Sequence, residues 1–391
     1  MFEGHSSGSG PESALPYGVV ITDDLTGACD AGVVFAKAGL RTRLALRPPL
    51  PDDAEVCVLN TNSRRLPPDE ASRLVTAVAS GLPLRRARVV FKKIDSTLRG
   101  NIVAECEAVR RAAGLDMIVV APSLPSQGRV LRQGHLHAGD FTASTILNAV
   151  ELLRSQGANV EHIPPKDLAA RIDTEQSVVF LLCDAESEDD IAIIARSIHD
   201  SRKRILWAGS SGLAAHAAAQ LAVGILAAPH AAESLVHDKK SSILLFIGST
   251  HAVTAHQVQV LRQTYSCDTR DLEREVRLPP EGIHLIVSMD MQIHPVESLR
   301  RFLEALPSHR FGGIFITGGD TASLFCDIAG AQQLLLTGEV QRGVVHGVIR
   351  GGLFDGLPIA LKSGGFGTED CLVQVVDRLA GHAHYESEPA S

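Results

Sequence analysis

The chain has 391 residues, enough for two domains at roughly 100–200 residues each. Hydrophobic residues make up 45% of it, which excludes a disordered or fibrous class, and aromatics only 4%, too few for platforms that stack bases or sugars. A net charge of −8 gives no global basic field for nucleic acid or anionic membrane, so a small anionic ligand needs a local cluster of cations.

Residues 1–16, "MFEGHSSGSGPESALP", read as a disordered tail with no signal-peptide core. Order begins at Tyr17. "YGVVITDD" is a short apolar strand ending in two carboxylates, and "LTGACDAGVVFAKAGL" follows with helical spacing. "RTRLAL" and "EVCVLNTNSR" are strands, and "PPDEASRLVTAVASG" is a helix with Pro at its start and Gly at its end. "ARVVFKKID", the helix "RGNIVAECEAVRRAAG" and "DMIVVAPS" continue the alternation, as do "SVVFLLCDA" and "KRILWAGSSGLAAHAAAQLA". Periodicity lapses over 228–242, where the boundary between domains 17–232 and 233–391 is expected. "ILLFIGST", "GIHLIVSM", "GGIFITGGDTASLFCDIAG" and "LPIALKSGGFGTEDCLVQVVDRLAG" build the second domain. The expected fold is α/β: two domains, each a mainly parallel sheet flanked by helices, with an active-site cleft between them. No apolar run reaches the roughly 18 residues of a membrane span. The seven cysteines form no CxxC pair, which favours free thiols in a reducing cytoplasm over disulfides or zinc.

Ligands of such folds bind beyond the carboxyl ends of the strands, where "TDD", "NTNSR", "KKIDS" and "APSLPSQGR" sit. Of Asp23 and Asp24, one can cap the following helix while the other stands open to orient a hydroxyl, take its proton or hold Mg²⁺. The fork of Arg64 matches a carboxylate or phosphate, whereas Arg65 reads as a surface residue. Lys92 and Lys93 alternate across the strand, so at most one faces a given site. Ser96 or Thr97 can cap the next helix. The histidines of "GHLH" (134–137), His251 and His256 read as loop residues. In the second domain "IGSTHAVT", "ITGGDTAS" and "KSGGFGTED" combine close backbone approach with helix N-termini, which suits phosphate oxygens. None matches a P-loop or a dinucleotide fingerprint. Lys362 is either a phosphate partner or a solvated strand-edge lysine.

The blocks "ITDDLTGACDAG", "KKIDSTLRGN", "APSLPSQGR", "GSSGLA", "IGST", "ITGGDTA" and "KSGGFGTED" resemble, in order, those of the four-carbon acid sugar kinases, over residues 18 to about 375. The resemblance implies an N-terminal domain for the acid sugar and a C-terminal domain for ATP with Mg²⁺, and transfer to the terminal hydroxyl. It implies that Asp24, Arg64, Lys93, Ile94, Asp95 and Ser96 contact the sugar acid, with Asp24 the catalytic base. It likewise implies that Ser249, Gly318, Gly319, Asp320, Thr321, Gly364, Gly365, Phe366 and Gly367 contact ATP. Thr22 stands where the family commonly has Ala, and Ser123 and Leu124 stand where "APAFP" is usual, at a wall of the pocket. "KKIDSTLRGN" is more similar to D-threonate and D-erythronate kinases than to 3-oxo-tetronate kinases. No nucleic acid or membrane partner is expected, and the sequence leaves the oligomeric state open, a homodimer included.

Overall fold

Apolar runs of four to six residues become strands covered on both faces, the pattern of a buried parallel sheet. The computed structural model describes residues 17–47, 53–140, 143–174, 179–223, 242–272, 278–289 and 296–381. The expected tail (1–16) and the boundary near 232 lie outside the described residues.

The amino-terminal half runs β1 (Gly18–Thr22), α1 (Leu25–Lys37), β2 (Thr42–Ala45), β3 (Val56–Asn60), α2 (Pro68–Ser80), β4 (Val89–Lys93), α3 (Ile102–Ala113) and β5 (Met117–Ala121). It continues with β6 (Arg129–Arg132), β7 (His135–Asp140), β8 (Ala143–Asn148), α4 (Ala149–Ser155), β9 (Val160–Ile163), α5 (Leu168–Ile172), β10 (Phe180–Cys183), α6 (Glu188–His199), β11 (Ile205–Gly209) and α7 (Ser211–Ala222). The carboxyl-terminal half runs β12 (Ser242–Ile247), α8 (Ala252–Thr264), β13 (Cys267–Asp271), β14 (His284–Ser288), α9 (Val296–Ala305), β15 (Phe311–Thr317) and α10 (Gly319–Ala329). It ends with β16 (Gln333–Gln341), β17 (Val344–Arg350), β18 (Pro358–Lys362) and α11 (Cys371–Leu379).

The mixed α/β architecture agrees with the sequence, with one addition. The two parallel sheets are joined edge to edge into a single 15-stranded sheet, in the order β13-β14-β12-β15-β18-β17-β16-β2-β3-β1-β4-β11-β5-β10-β9. The junction is antiparallel: β16 pairs with β17 on one side and, through Gln333↔Ala45, Leu334↔Leu44 and Leu335↔Arg43, with β2 on the other. One apolar layer accordingly runs through both halves, from Phe35 and Val58 to Leu336 and Phe354, while the opposite face carries a separate core in each half. Gly32 of α1 makes room for Leu336 of β16, since a Cβ there would lie 2.4 Å from Leu336 Cδ1.

Four β elements have no counterpart in the sequence reading: the two edge strands β9 and β13, a hairpin and a small sheet. The β16–β17 hairpin is bulged at two points along β16, and Arg342 lies in its turn. The small antiparallel sheet β6–β7–β8 follows β5, with Gln133 and Gly134 both left-handed (φ 49° and 74°) in the two-residue turn. His135 and His137 therefore lie on β7 and not in a loop. All seven cysteines are free and six are buried. Among the described residues no helix is long and apolar enough to cross a membrane.

Candidate active site

Strands β3, β1, β4, β11 and β5 are parallel neighbours, so their carboxyl tips form one edge. Asp24 has extended backbone (φ −148°, ψ 158°) and caps α1, its Oδ1 accepting the Gly27 N–H at 3.1 Å. Its Oδ2 accepts the Thr26 hydroxyl at 2.7 Å. Arg64, from the turn after β3, spans both aspartates. Its Nε and Nη2 donate to Asp23 at 2.9 Å, and its Nη1 and Nη2 to Asp24 at 2.8 Å. Neither aspartate stands open, in contrast to the expectation for one of them. The fork of Arg64 is already filled by the protein's own carboxylates. Burial works against charge on Asp23, but Lys92 and Arg64 outweigh it and hold the carboxyl below its usual range. Burial likewise opposes charge on Arg64, and the two aspartates push its pKa up.

The two lysines of β4 part company. Lys92 turns toward α3, where its Nζ lies 2.9 Å from Glu105 Oε2 in an ion pair off the hydrogen-bond direction, each side chain 1% exposed. Glu105 Oε1 accepts the Ser63 hydroxyl at 2.9 Å. Burial alone would lower the Lys92 pKa, yet Glu105 and Asp23 raise it. Lys93 turns the other way, onto the wall of a cavity, and its Nζ donates to the Ile94 carbonyl at 3.0 Å. The Ile94 side chain is buried in the core, its N–H donates to the Gly209 carbonyl, and it does not line the cavity, in contrast to the expected substrate contact. Asp95 accepts Arg99 Nε and Nη2 at 2.8 Å and the Thr97 hydroxyl. Burial raises the Asp95 pKa, but these donors hold it well below the carboxylate range. Ser96 and Thr97 do not cap α3. Leu98 and Gly100 take left-handed φ (62° and 94°), and Asn101 is the residue at the cap. Thr22 Oγ donates to Leu59 O at 3.1 Å, and Leu124 lines the cavity while Ser123 Oγ accepts the Leu131 N–H at 3.0 Å.

In the other half β12, β15 and β18 are adjacent and parallel, so the three glycine turns also share an edge. Gly318 (φ 102°) is the cap of α10. Thr321 is buried against Gly248, where any Cβ would collide with its hydroxyl. Ser249 Oγ accepts the His251 N–H at 3.2 Å and packs on Gly364. The Gly364–Thr368 loop is held by its carbonyls: Thr254 Oγ donates to Gly364 O at 2.7 Å, and Gln257 Nε2 donates to Phe366, Gly367 and Thr368 O at 2.8–3.1 Å. Lys362 is 2% exposed and donates to Gly364 O and Phe366 O at 3.0 and 3.2 Å, so it is neither solvated nor free for a phosphate. Burial lowers its pKa to about 8. No acceptor among the described residues takes the Gly364, Gly365 or Gly367 N–H groups.

The two edges meet. Arg65, exposed as expected, pairs with Asp320 at 2.9 Å, and a Cβ on Gly319 would lie 3.2 Å from Thr26. A polar cavity of about 150 Å³ lies between them, lined by Asp24, Lys93, Asp95, Ser96, Ser363 and Phe366 among others. A second cavity, of about 580 Å³, runs along Gly365–Gly367, His251 and Arg342. A sugar-binding N-terminal domain model matches residues 18–217 and a nucleotide-binding C-terminal domain model residues 294–372. A D-threonate kinase of Bordetella bronchiseptica is 31% identical, over 93% of this chain and 98% of that protein.

The chain belongs to the four-carbon acid sugar kinase family. A D-erythronate kinase of Heliobacterium modesticaldum is 25% identical, over 95% of this chain and 99% of that protein. A crystal structure from Salmonella typhimurium, 20% identical over 92% of this chain and 98% of that one, shares the fold with a TM-score of 0.74. This member of the family is a phosphotransferase with an alcohol group as acceptor.

Two residues of the acid sugar kinase site carry no local signal in the sequence. Asp30 lies on α1, six residues beyond its cap Asp24, and lines the small cavity. Burial and the nearby Asp24 and Glu339 carboxylates raise its pKa to about 7 against the pull of Lys93 and Arg129. Arg129 follows the short 3₁₀ turn Pro125–Gln127, and its Nη1 donates to Ser96 Oγ. For the first, only its place in "ITDDLTGACDAG" marks it. Only the second's place in "APSLPSQGR" marks the other. His251 caps α8 and lines the larger cavity, and His256 lies on α8, 3.4 Å from Glu369. Among the described residues no group of three His, Cys, Asp or Glu side chains is placed to hold a metal ion.

Proposed function

We propose that this kinase uses ATP to phosphorylate the terminal (4-) hydroxyl of a four-carbon sugar acid, D-threonate foremost and D-erythronate as the alternative. The observation that carries this reading is the small cavity between the two strand edges. Its volume of about 150 Å³ equals about five waters at ~30 Å³ each, room for a four-carbon acid. Its wall offers cations and hydroxyl-binding groups together. The relative at 31% identity is a D-threonate kinase.

Ser249, Gly318 to Thr321 and Gly364 to Gly367 are suited to the ATP phosphates, because the inward-turned carbonyls of the last run leave N–H groups for an anion. Mg²⁺ usually keeps its waters and rides on substrate phosphates, and here it would enter with ATP to neutralise charge. Asp24, braced by Arg64, orients the acceptor hydroxyl and stands as its base. Lys93 and Ser96 bind the acid itself, while Arg64 acts on the substrate through the aspartates it holds. Asp95 positions the tip through Arg99 and Thr97.

The test is a coupled ADP-release assay with ATP and Mg²⁺ against D-threonate, L-threonate, D-erythronate and a 3-oxo-tetronate. Selective turnover of D-threonate is expected. Tight binding of an acid without ADP release would instead mark a non-catalytic sensor.

A further inference from the structure

The cavity of about 150 Å³ and the cavity of about 580 Å³ share three lining residues, Gln127, Arg129 and Phe366. In the kinase reading, on which this inference rests, the first takes the acid and the second follows the loop that takes the phosphates. The transferred phosphoryl group must cross where the two meet. Arg129 is the one charged residue common to both walls.

Its placement is built in. Gly128 is left-handed (φ 67°), and Leu124 and Arg129 exchange backbone hydrogen bonds at 2.7 and 3.2 Å, which turns the chain back at the tip of β5. The Ser96 hydroxyl receives one guanidinium N–H. The other guanidinium groups on the acid cavity are neutralised by the protein: Arg64 by Asp23 and Asp24, Arg99 by Asp95. Arg129 has no carboxylate within 4.0 Å among the described residues. A planar fork that no described carboxylate contacts, although Asp30 feels its charge, stands at the crossing point and is the group that phosphoryl transfer calls for. The charge in transit spreads over three equatorial oxygens, which a guanidinium can bridge.

We propose that Arg129 is the catalytic cation that binds the phosphoryl group in transit. The acceptor oxygen forms its bond to the γ-phosphorus as the bond from that phosphorus to the β–γ bridging oxygen breaks. ADP leaves with the electron pair, and the hydroxyl proton passes to Asp24. Arg129 gains and loses no proton.

The experiment compares the parent, Arg129→Ala and Arg129→Lys by ADP release with D-threonate and D-erythronate, with Tm recorded for each. Arg129→Ala should lose about a thousandfold or more in kcat, with KM for acid and ATP within about threefold. Added guanidinium should restore part of the rate, and Arg129→Lys should fall in between, since it keeps charge without the fork. ADP with aluminium fluoride and the acid should inhibit the parent tightly and the alanine variant weakly. If Arg129→Ala instead raises KM for the acid more than about tenfold with kcat nearly intact, the residue anchors the substrate carboxylate and the proposal is overturned. A kcat within about tenfold of the parent overturns it as well. A parent that releases no ADP with any acid overturns the kinase reading and this one together.

Discussion

Replacing Lys92 by methionine separates the two lysines of "VVFKKID" by their physics. The Lys92–Glu105 pair is buried, with each side chain 1% exposed. Removing the cation leaves Glu105 charged, desolvated and held only by Ser63, and deprives Asp23 of its strongest neighbouring charge. Breaking a buried pair on one side costs about 3–5 kcal/mol, against a total stability of roughly 5–15 kcal/mol. Taking both charges out with Lys92→Met/Glu105→Leu should recover most of that. The orphaned Ser63 hydroxyl would retain about 1 kcal/mol of the loss. The assay is the chemical unfolding midpoint of the parent, both single variants and the double variant, with KM for the acid measured on the soluble ones. Because Lys92 faces α3 and not the cavity, the double variant should keep KM within about threefold. Lys93→Met should do the reverse, with a near-parental midpoint and lost turnover. A single Lys92→Met variant as stable as the parent would refute the reasoning, as would a stable double variant that no longer binds the acid.

Asp24→Asn keeps an oxygen for the α1 cap but loses the charge that Arg64 pairs with, so folding should lose about 1–3 kcal/mol while kcat falls by about a hundredfold or more; a near-parental kcat, read beside Tm, removes Asp24 as base. Asp30→Asn should raise Tm at pH 8 and leave it unchanged near pH 4. Its carboxyl goes from an ordinary 3.8 to about 7 in the fold, so the folded state holds a proton that the unfolded state releases, and stability drains away between those pH values. The ceiling is about 4 kcal/mol, and solvent at this half-buried position cuts it to about 1–2 kcal/mol. Gly364→Ala should weaken ADP binding in calorimetry and spare KM for the acid, because the new Cβ would meet Ser249 Oγ at 2.1 Å; adding Ser249→Ala should return part of the loss.

The strands that carry the site were legible because parallel strands buried on both faces are unbroken apolar runs, and the polar tips break those runs abruptly. The glycine turns were legible for a related reason, since helix N-termini after buried strands need small residues where the chain reverses. The β6–β8 sheet and the β16–β17 hairpin escaped because they mix charged and apolar residues, as "RVLR" and "GEVQRGVV" show. Strand parity separates Lys92 from Lys93 but does not say which side holds the cleft. Glu105 decides that from a helix, thirteen residues beyond Lys92. The capture of Arg64 by two aspartates some 40 residues away is equally invisible locally. The inward turn of Lys362 depends on Gly364 and Phe366 bending back over it.

The edge pairing of β16 with β2 bears on how such a site can open and shut. Two bodies on a linker would swing about it at almost no elastic cost. Here the three-residue ladder between β2 and β16, together with the seat of Leu336 on Gly32, makes the halves one ribbon. Any motion that drew the glycine turns toward Asp24 would therefore wind that ribbon, and α1, which is capped by Asp24 and carries Gly32, would be wound with it. Bound substrates would hold the torsion. Torsion stored in that way would act as a restoring force that reopens the site once the products leave.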